Sequence, residues 1–145
     1  MKHQTIVLLL LMFVSTAYLA LGQGMKAKPG TSIRVETGTV LNVNNGDLTL
    51  ESDATGDASL IDYGSVAYSG GGEAKVERYL AESQWHIISS PTTDAVSGMF
   101  IDDYLSYHTE ANDEWTDIVA TDYSLSVMQG YLLWSVASGP TTEVF

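Results

Sequence analysis

The chain has 145 residues and no cysteine, and its 18 acidic side chains against 6 basic ones give a formal net charge of −12. Without cysteine there is no disulfide framework, no thiol nucleophile, no Cys-ligated metal and no lipoprotein anchor. A surface of this sign repels phosphate backbones and anionic lipid heads, which excludes direct nucleic-acid binding and leaves divalent cations, basic partners or neutral ligands such as glycans.

Residues 1–22 read as a secretory signal peptide. Lys2 precedes the apolar run Ile6-Val-Leu-Leu-Leu-Leu-Met-Phe-Val14, and a softer stretch ends in Ala20-Leu-Gly22-Gln23, with cleavage expected between Gly22 and Gln23. The apolar stretch is short for a membrane span, which needs about 20 residues, so no integral membrane segment is expected after cleavage. The mature chain is therefore expected outside the cytoplasm, secreted or on the cell surface. Loss of Lys2 takes the charge to −13, and after Arg78 there are ten Asp or Glu and no Lys or Arg.

Residues 23–82 carry short β runs, each closed by Asn, Asp or Gly, residues that supply turns with positive φ at low steric cost. The runs are Ile33-Arg-Val35, Val40-Leu-Asn-Val43, Leu48-Thr-Leu50, Ala58-Ser-Leu-Ile61, Ser65-Val-Ala-Tyr68 and Ala74-Lys-Val-Glu-Arg-Tyr-Leu80. Two architectures fit: a meander of hairpins, or a β-solenoid in which the breaks are corners and the runs stack as rungs. The near-echo of Thr39-Val-Leu-Asn-Val43, Asp47-Leu-Thr-Leu50 and Asp57-Ala-Ser-Leu-Ile61 favours rungs, with the following segment as a cap.

Residues 83–145 change texture. Trp85-His-Ile-Ile-Ser-Ser-Pro91 is an alternating strand stopped by proline, with Trp85, Ile87 and Ser89 on one side and His86, Ile88 and Ser90 on the other. A hairpin is expected around Thr109-Glu-Ala-Asn-Asp113, a further strand at Gly130-Tyr-Leu-Leu-Trp-Ser-Val136, and the start of another at Glu143-Val-Phe145. The expected fold is all-β: a short solenoid-like or meander segment followed by an incomplete antiparallel β-sandwich. A chain that ends inside a strand reads as a fragment with an open edge.

Two stretches together carry a family resemblance. One runs from Gly46 to Gly64 and ends in Val76-Glu-Arg-Tyr-Leu80; the other joins Trp85-His-Ile-Ile-Ser-Ser-Pro91 to Asp103-Tyr-Leu-Ser-Tyr107, Trp115 and the stretch from Leu125 to Gly130-Tyr131. The set resembles the N-terminal part of large exported surface proteins of bacteria that use type IX secretion, over residues 38–136. The resemblance implies an adhesin-like or scaffolding role. It also implies a C-terminal sorting domain, of which residues up to 145 show none, and it carries over no catalytic motif.

The candidate sites are few. His86 and His108 lack the spacing of a zinc site and read as strand residues. Ser89 and Ser90 lack a nucleophile elbow. No carboxylate pair is singled out for glycoside hydrolysis by spacing, and no enzyme is expected. One hairpin does not make a propeller, which needs several blades. Calcium is the one cofactor the sequence leaves room for, with Asp53 and Asp57 in one turn and Asp113 and Asp117 in a second loop. Aromatic residues crowd the second segment. Trp85, Trp115 and Tyr131 are expected in the core, whereas Tyr104 and Trp134 are candidates for stacking on a glycan. The function read from the sequence is a non-enzymatic exported structural or adhesive module with glycans or other surface proteins as partners. The second reading is a carbohydrate-binding accessory module of a larger secreted enzyme. An exposed aromatic strip flanked by acids would distinguish the second from the first.

Overall fold

A computed structural model describes residues 24–136 and 138–145. The signal peptide expected at residues 1–22 and its expected cleavage site lie outside the described residues. The described chain is all-β, its one helical element being a single 3-10 turn.

The first segment is built of parallel rungs. Strands β1 (Met25–Ala27), β2 (Ser32–Val35) and β3 (Val40–Asn44) form the first rung. Strands β4 (Leu48–Leu50), β7 (Ser59–Asp62) and β8 (Ser65–Ser69) form the second, and β9 (Ala74–Leu80) opens a third. Pairing is parallel throughout: Met25 faces Leu48 and Leu48 faces Ala74, Ile33 faces Leu60, and Leu41 faces Val66. Parallel ladders exclude the meander, because consecutive hairpins give antiparallel neighbours. A small hairpin, β5 (Ser52–Asp53) and β6 (Gly56–Asp57), is inserted between β4 and β7.

The sequence echo does not mark stacked positions. Its three copies fall on β3, on β4 and on β6 with β7, which occupy different sides of the stack. A strand meets its partner only after a full rung, as in the bond from the Ser69 hydroxyl to Asn44 Oδ1, 25 residues earlier. The interior holds Ala27, Val43, Leu48 and Leu50, with Ile33, Leu41, Leu60, Val66 and Val76 packed around them. Full burial of a leucine such as Leu48 stabilises by about 1.5–3 kcal/mol. At the corners the rungs touch backbone to backbone: a Cβ on Gly72 would run into the Gly46 carbonyl.

Ion pairs run between rungs on the outer face. Lys26 reaches Glu51 at 3.0 Å and Lys75 reaches Asp47 at 2.5 Å. The hydrogen bond from Lys75, helped by one from the Glu73 N–H, holds the Asp47 carboxyl below the ordinary aspartate value. The same bond holds the Lys75 ammonium above the ordinary lysine value.

The second segment is a four-stranded antiparallel sheet in the order β10 (Trp85–Ser89), β13 (Gly130–Trp134), β11 (Tyr104–Thr109), β12 (Glu114–Asp117). The expected hairpin is β11 with β12, Thr109 facing Glu114. The inner face places Ile88, Leu105, Tyr131 and Leu133 against Leu80, Phe100 of the 3-10 turn (Ser97–Phe100), and Leu125. The last strand, β14 (Thr141–Val144), turns back to the first segment and pairs antiparallel with β9, Thr141 facing Leu80. The β9–β14 ladder, with the connecting loops, is thus the second layer of this sandwich-like packing. Phe145 packs against the same core.

Two outcomes follow from the stacking. Gly72→Ala should destabilise the chain by about 1–3 kcal/mol, the usual cost of overpacking, read as a fall in the thermal midpoint by circular dichroism. The Asp47–Lys75 pair should support stability across neutral pH. The Asp47 share is present above 3.8 and is lost as pH falls through its lowered folded value. The Lys75 share is present below 10.5 and is lost as pH rises through its raised value. Asp47→Asn should therefore unfold below the wild type at pH 7 and converge with it in acid.

Candidate functional site

The outer face of the four-stranded sheet carries the most unusual chemistry of the molecule. In a strand, alternate residues share a face, and residues opposite one another across the ladder lie side by side. Trp85 faces Trp134, and Tyr104 faces Trp134 from the other side, so three aromatic rings form one row across β10, β13 and β11. The next row places Ile87 beside Leu132, Ser106 and Asp117. A third brings His108 beside Trp115 on β12.

This face is open. Trp85 is 58% exposed, Ile87 77%, Tyr104 69% and Trp115 57%, while Trp134 is half-buried between its neighbours. The Trp85 and Trp134 rings meet edge to face with centroids 5.1 Å apart and planes 63° from parallel, a favoured aromatic arrangement. The His108 ring lies 5.0 Å from the Trp115 ring, and its Nε2 lies 3.0 Å from Asp113 Oδ1. Isolated exposed apolar residues are ordinary, but exposed rings set side by side across neighbouring strands are less so, which makes this face the candidate site.

The expectation that Trp85 and Trp115 lie in the core is corrected. Both stand on the outer face, and of the three residues expected inside only Tyr131 is buried, at 1% exposure. Its hydroxyl accepts the Ser126 N–H at 2.7 Å, which satisfies the one polar atom of the ring. The error arises from phase. Both alternating sets of β10 contain an isoleucine, and Ile88, not Ile87, is the buried one. The decisive signal sits in β11, where Tyr104 shares its phase with Ser106 and His108 while Leu105 and Tyr107 take the other. A polar phase containing a tyrosine is an outward phase. Tyr104 and Trp134, singled out in the sequence for glycan stacking, stand side by side on this face.

A cavity of about 350 Å³ opens where the aromatic row meets the 3-10 turn. Phe100 and Leu105 form its floor, Tyr104 and Val119 its rim, and Asp103 and Asp117 supply carboxylates. Asp103 is oriented by the Val136 N–H, which donates to its Oδ1 at 2.8 Å. Burial, together with the Asp103 charge, pushes the nearby Glu143 carboxyl above its ordinary value.

The four calcium candidates are spread over three places. Asp53 Oδ1 accepts the Thr55 N–H at 2.7 Å and its hydroxyl at 2.6 Å, bonds that hold its carboxyl below the ordinary range. Asp57 accepts the Ser52 hydroxyl at 2.5 Å and the Arg78 guanidinium at 2.6 Å. Asp113 faces His108 in the hairpin turn, and Asp117 lines the cavity. Among the described residues no group of three or more His, Cys, Asp or Glu is placed to hold a metal ion. His86 is half-buried, its Nε2 lying 3.0 Å from the Ala81 carbonyl oxygen. Ser90 is buried and donates to the Thr92 carbonyl at 2.6 Å.

Comparison with protein-family models, with curated proteins and with solved structures finds no match. Among the described residues no helix is long and apolar enough to cross a membrane.

The assignment of faces is checked by truncation. Trp85→Ala should change unfolding stability by less than about 1 kcal/mol, whereas Leu133→Ala, at 0% exposure, should cost about 2–5 kcal/mol in urea denaturation.

Proposed function

We propose that the protein is a non-enzymatic exported module that holds glycans on the outer face of its four-stranded sheet, in an adhesive or accessory role at the cell surface or outside the cell. The observation that carries this reading is the row of exposed Trp85 and Tyr104 with half-buried Trp134 between them, set across neighbouring strands and flanked by Asp103 and Asp117. Flat aromatic faces present apolar surface to the C–H face of a sugar ring, while carboxylates accept bonds from its hydroxyls. A rigid sheet holds the rings in place before the ligand arrives, which lowers the ordering cost of binding.

The leader, the acidic surface and the resemblance to type IX exported surface proteins support the location. The charge supports neutral or cationic ligands over sulfated or phosphorylated ones. The adhesive and the accessory roles share this face and differ in what the rest of a larger protein does.

The test is affinity electrophoresis and calorimetry of the mature chain against neutral β-linked polysaccharides and their oligomers. Trp85→Ala and Trp134→Ala should each weaken binding by about tenfold or more, in line with a lost aromatic anchor. Binding that survives removal of both rings would place the glycan elsewhere and end the proposal.

A further inference from the structure

We infer that the cavity at the Tyr104 end of the aromatic row is a subsite for a sugar bearing a free, protonated amine, so that the face selects amino sugars over their neutral or acetylated counterparts. This inference rests on the glycan reading of the face and names its ligand class.

Three observations lead to it. First, the cavity is continuous with the row, because Tyr104 belongs to both: it faces Trp134 across the ladder and stands on the cavity rim. A sugar chain laid along the row, from Trp85 over Trp134, reaches the cavity with its next residue. Second, the size fits one small ligand group, since about 350 Å³ lies at the small end of the roughly 300–1,000 Å³ of ligand pockets. Third, the charge is of one sign. Asp103 and Asp117 line the cavity, Glu143 stands beside Asp103, and no Lys or Arg occurs after Arg78.

The chemistry divides between floor and walls. Phe100 and Leu105 offer an apolar surface to the ring, and Asp103 and Asp117 offer acceptors to an ammonium. Asp103 is the better ordered of the two, because the Val136 N–H fixes one oxygen and leaves the other for the ligand. Asp117 is exposed and acts through water-screened attraction. Glu143 stands outside the cavity lining, and burial first, with the Asp103 charge second, pushes its carboxyl above the ordinary value.

The experiment compares three oligosaccharides of one backbone geometry: a tetramer of glucosamine, its fully N-acetylated form, and the glucose tetramer. Calorimetry on the mature chain at pH 6 should rank the free amine about three- to tenfold above the other two, the range of screened and partly screened ion pairs. The preference should shrink in high salt. Asp117→Asn should remove a large part of the preference, read as the ratio of glucosamine-tetramer to glucose-tetramer affinity, with the thermal midpoint unchanged. Tyr104→Ala should weaken all three ligands. Equal binding of the three tetramers by the wild type would overturn the amine subsite and leave the glycan face standing. A preference that persists in Asp117→Asn and in Asp103→Asn alike would move the amine away from this cavity and overturn it too. Failure of every tetramer to bind would remove both readings.

Discussion

The two halves of the protein depend on one strand that is committed twice. The first part of β9, through Val76, lies parallel to β4 and continues the rung stack. Its second part, from Glu77 to Leu80, lies antiparallel to β14 and delivers Leu80 into the core beneath the four-stranded sheet. Leu80 has no exposed surface. A shift of one residue along β9 would turn its inward side chains outward in both halves at once, so the register of the stack and the seating of the sheet are a single choice.

Polar groups at the junction enforce that choice. The Ser52 hydroxyl is buried; it donates to Asp57 and accepts the N–H of Tyr79, and the Ser52 N–H donates to Glu77 Oε2 at 3.2 Å. Arg78 closes the group by binding Asp57. The β5–β6 insertion, which interrupts the second rung, is therefore the element that grips β9 from the side. Hydrogen bonds contribute about 1 kcal/mol each, and leaving the buried Ser52 hydroxyl unmatched would cost more. Their value lies in admitting one register only.

Much of the fold is legible in the sequence because short runs closed by Asn, Asp and Gly locate strands well. Asn45, for instance, takes a positive φ of 53° at a corner, as its residue type favours. Which strand neighbours which is less legible, since the partner lies a full rung away and the echo between adjacent runs records their shared length and alternation. The candidate face is legible by composition and not by direction. Tyr104 stands out because its phase is polar, whereas Gly130-Tyr-Leu-Leu-Trp134 is apolar in both phases and hides which tryptophan side is wet. The habit of placing the largest rings inside then assigns Trp85 and Trp115 to the wrong face. The return of β14 to β9 is a long-range pairing that no local pattern in Thr141-Thr-Glu-Val144 announces.

That return sets a limit on how the molecule can vary in length. A parallel stack grows by adding another parallel strand at its open end, but directly after the rung part of β9 its Glu77–Leu80 stretch is paired with a strand running the opposite way. A rung added after β9 would have to part Glu77–Leu80 from β14. A rung inserted before β9 would leave that pairing intact. Each inserted rung would leave the distance between β9 and the aromatic face unchanged. The aromatic face would then move outward on a stalk of adjustable height without being rebuilt.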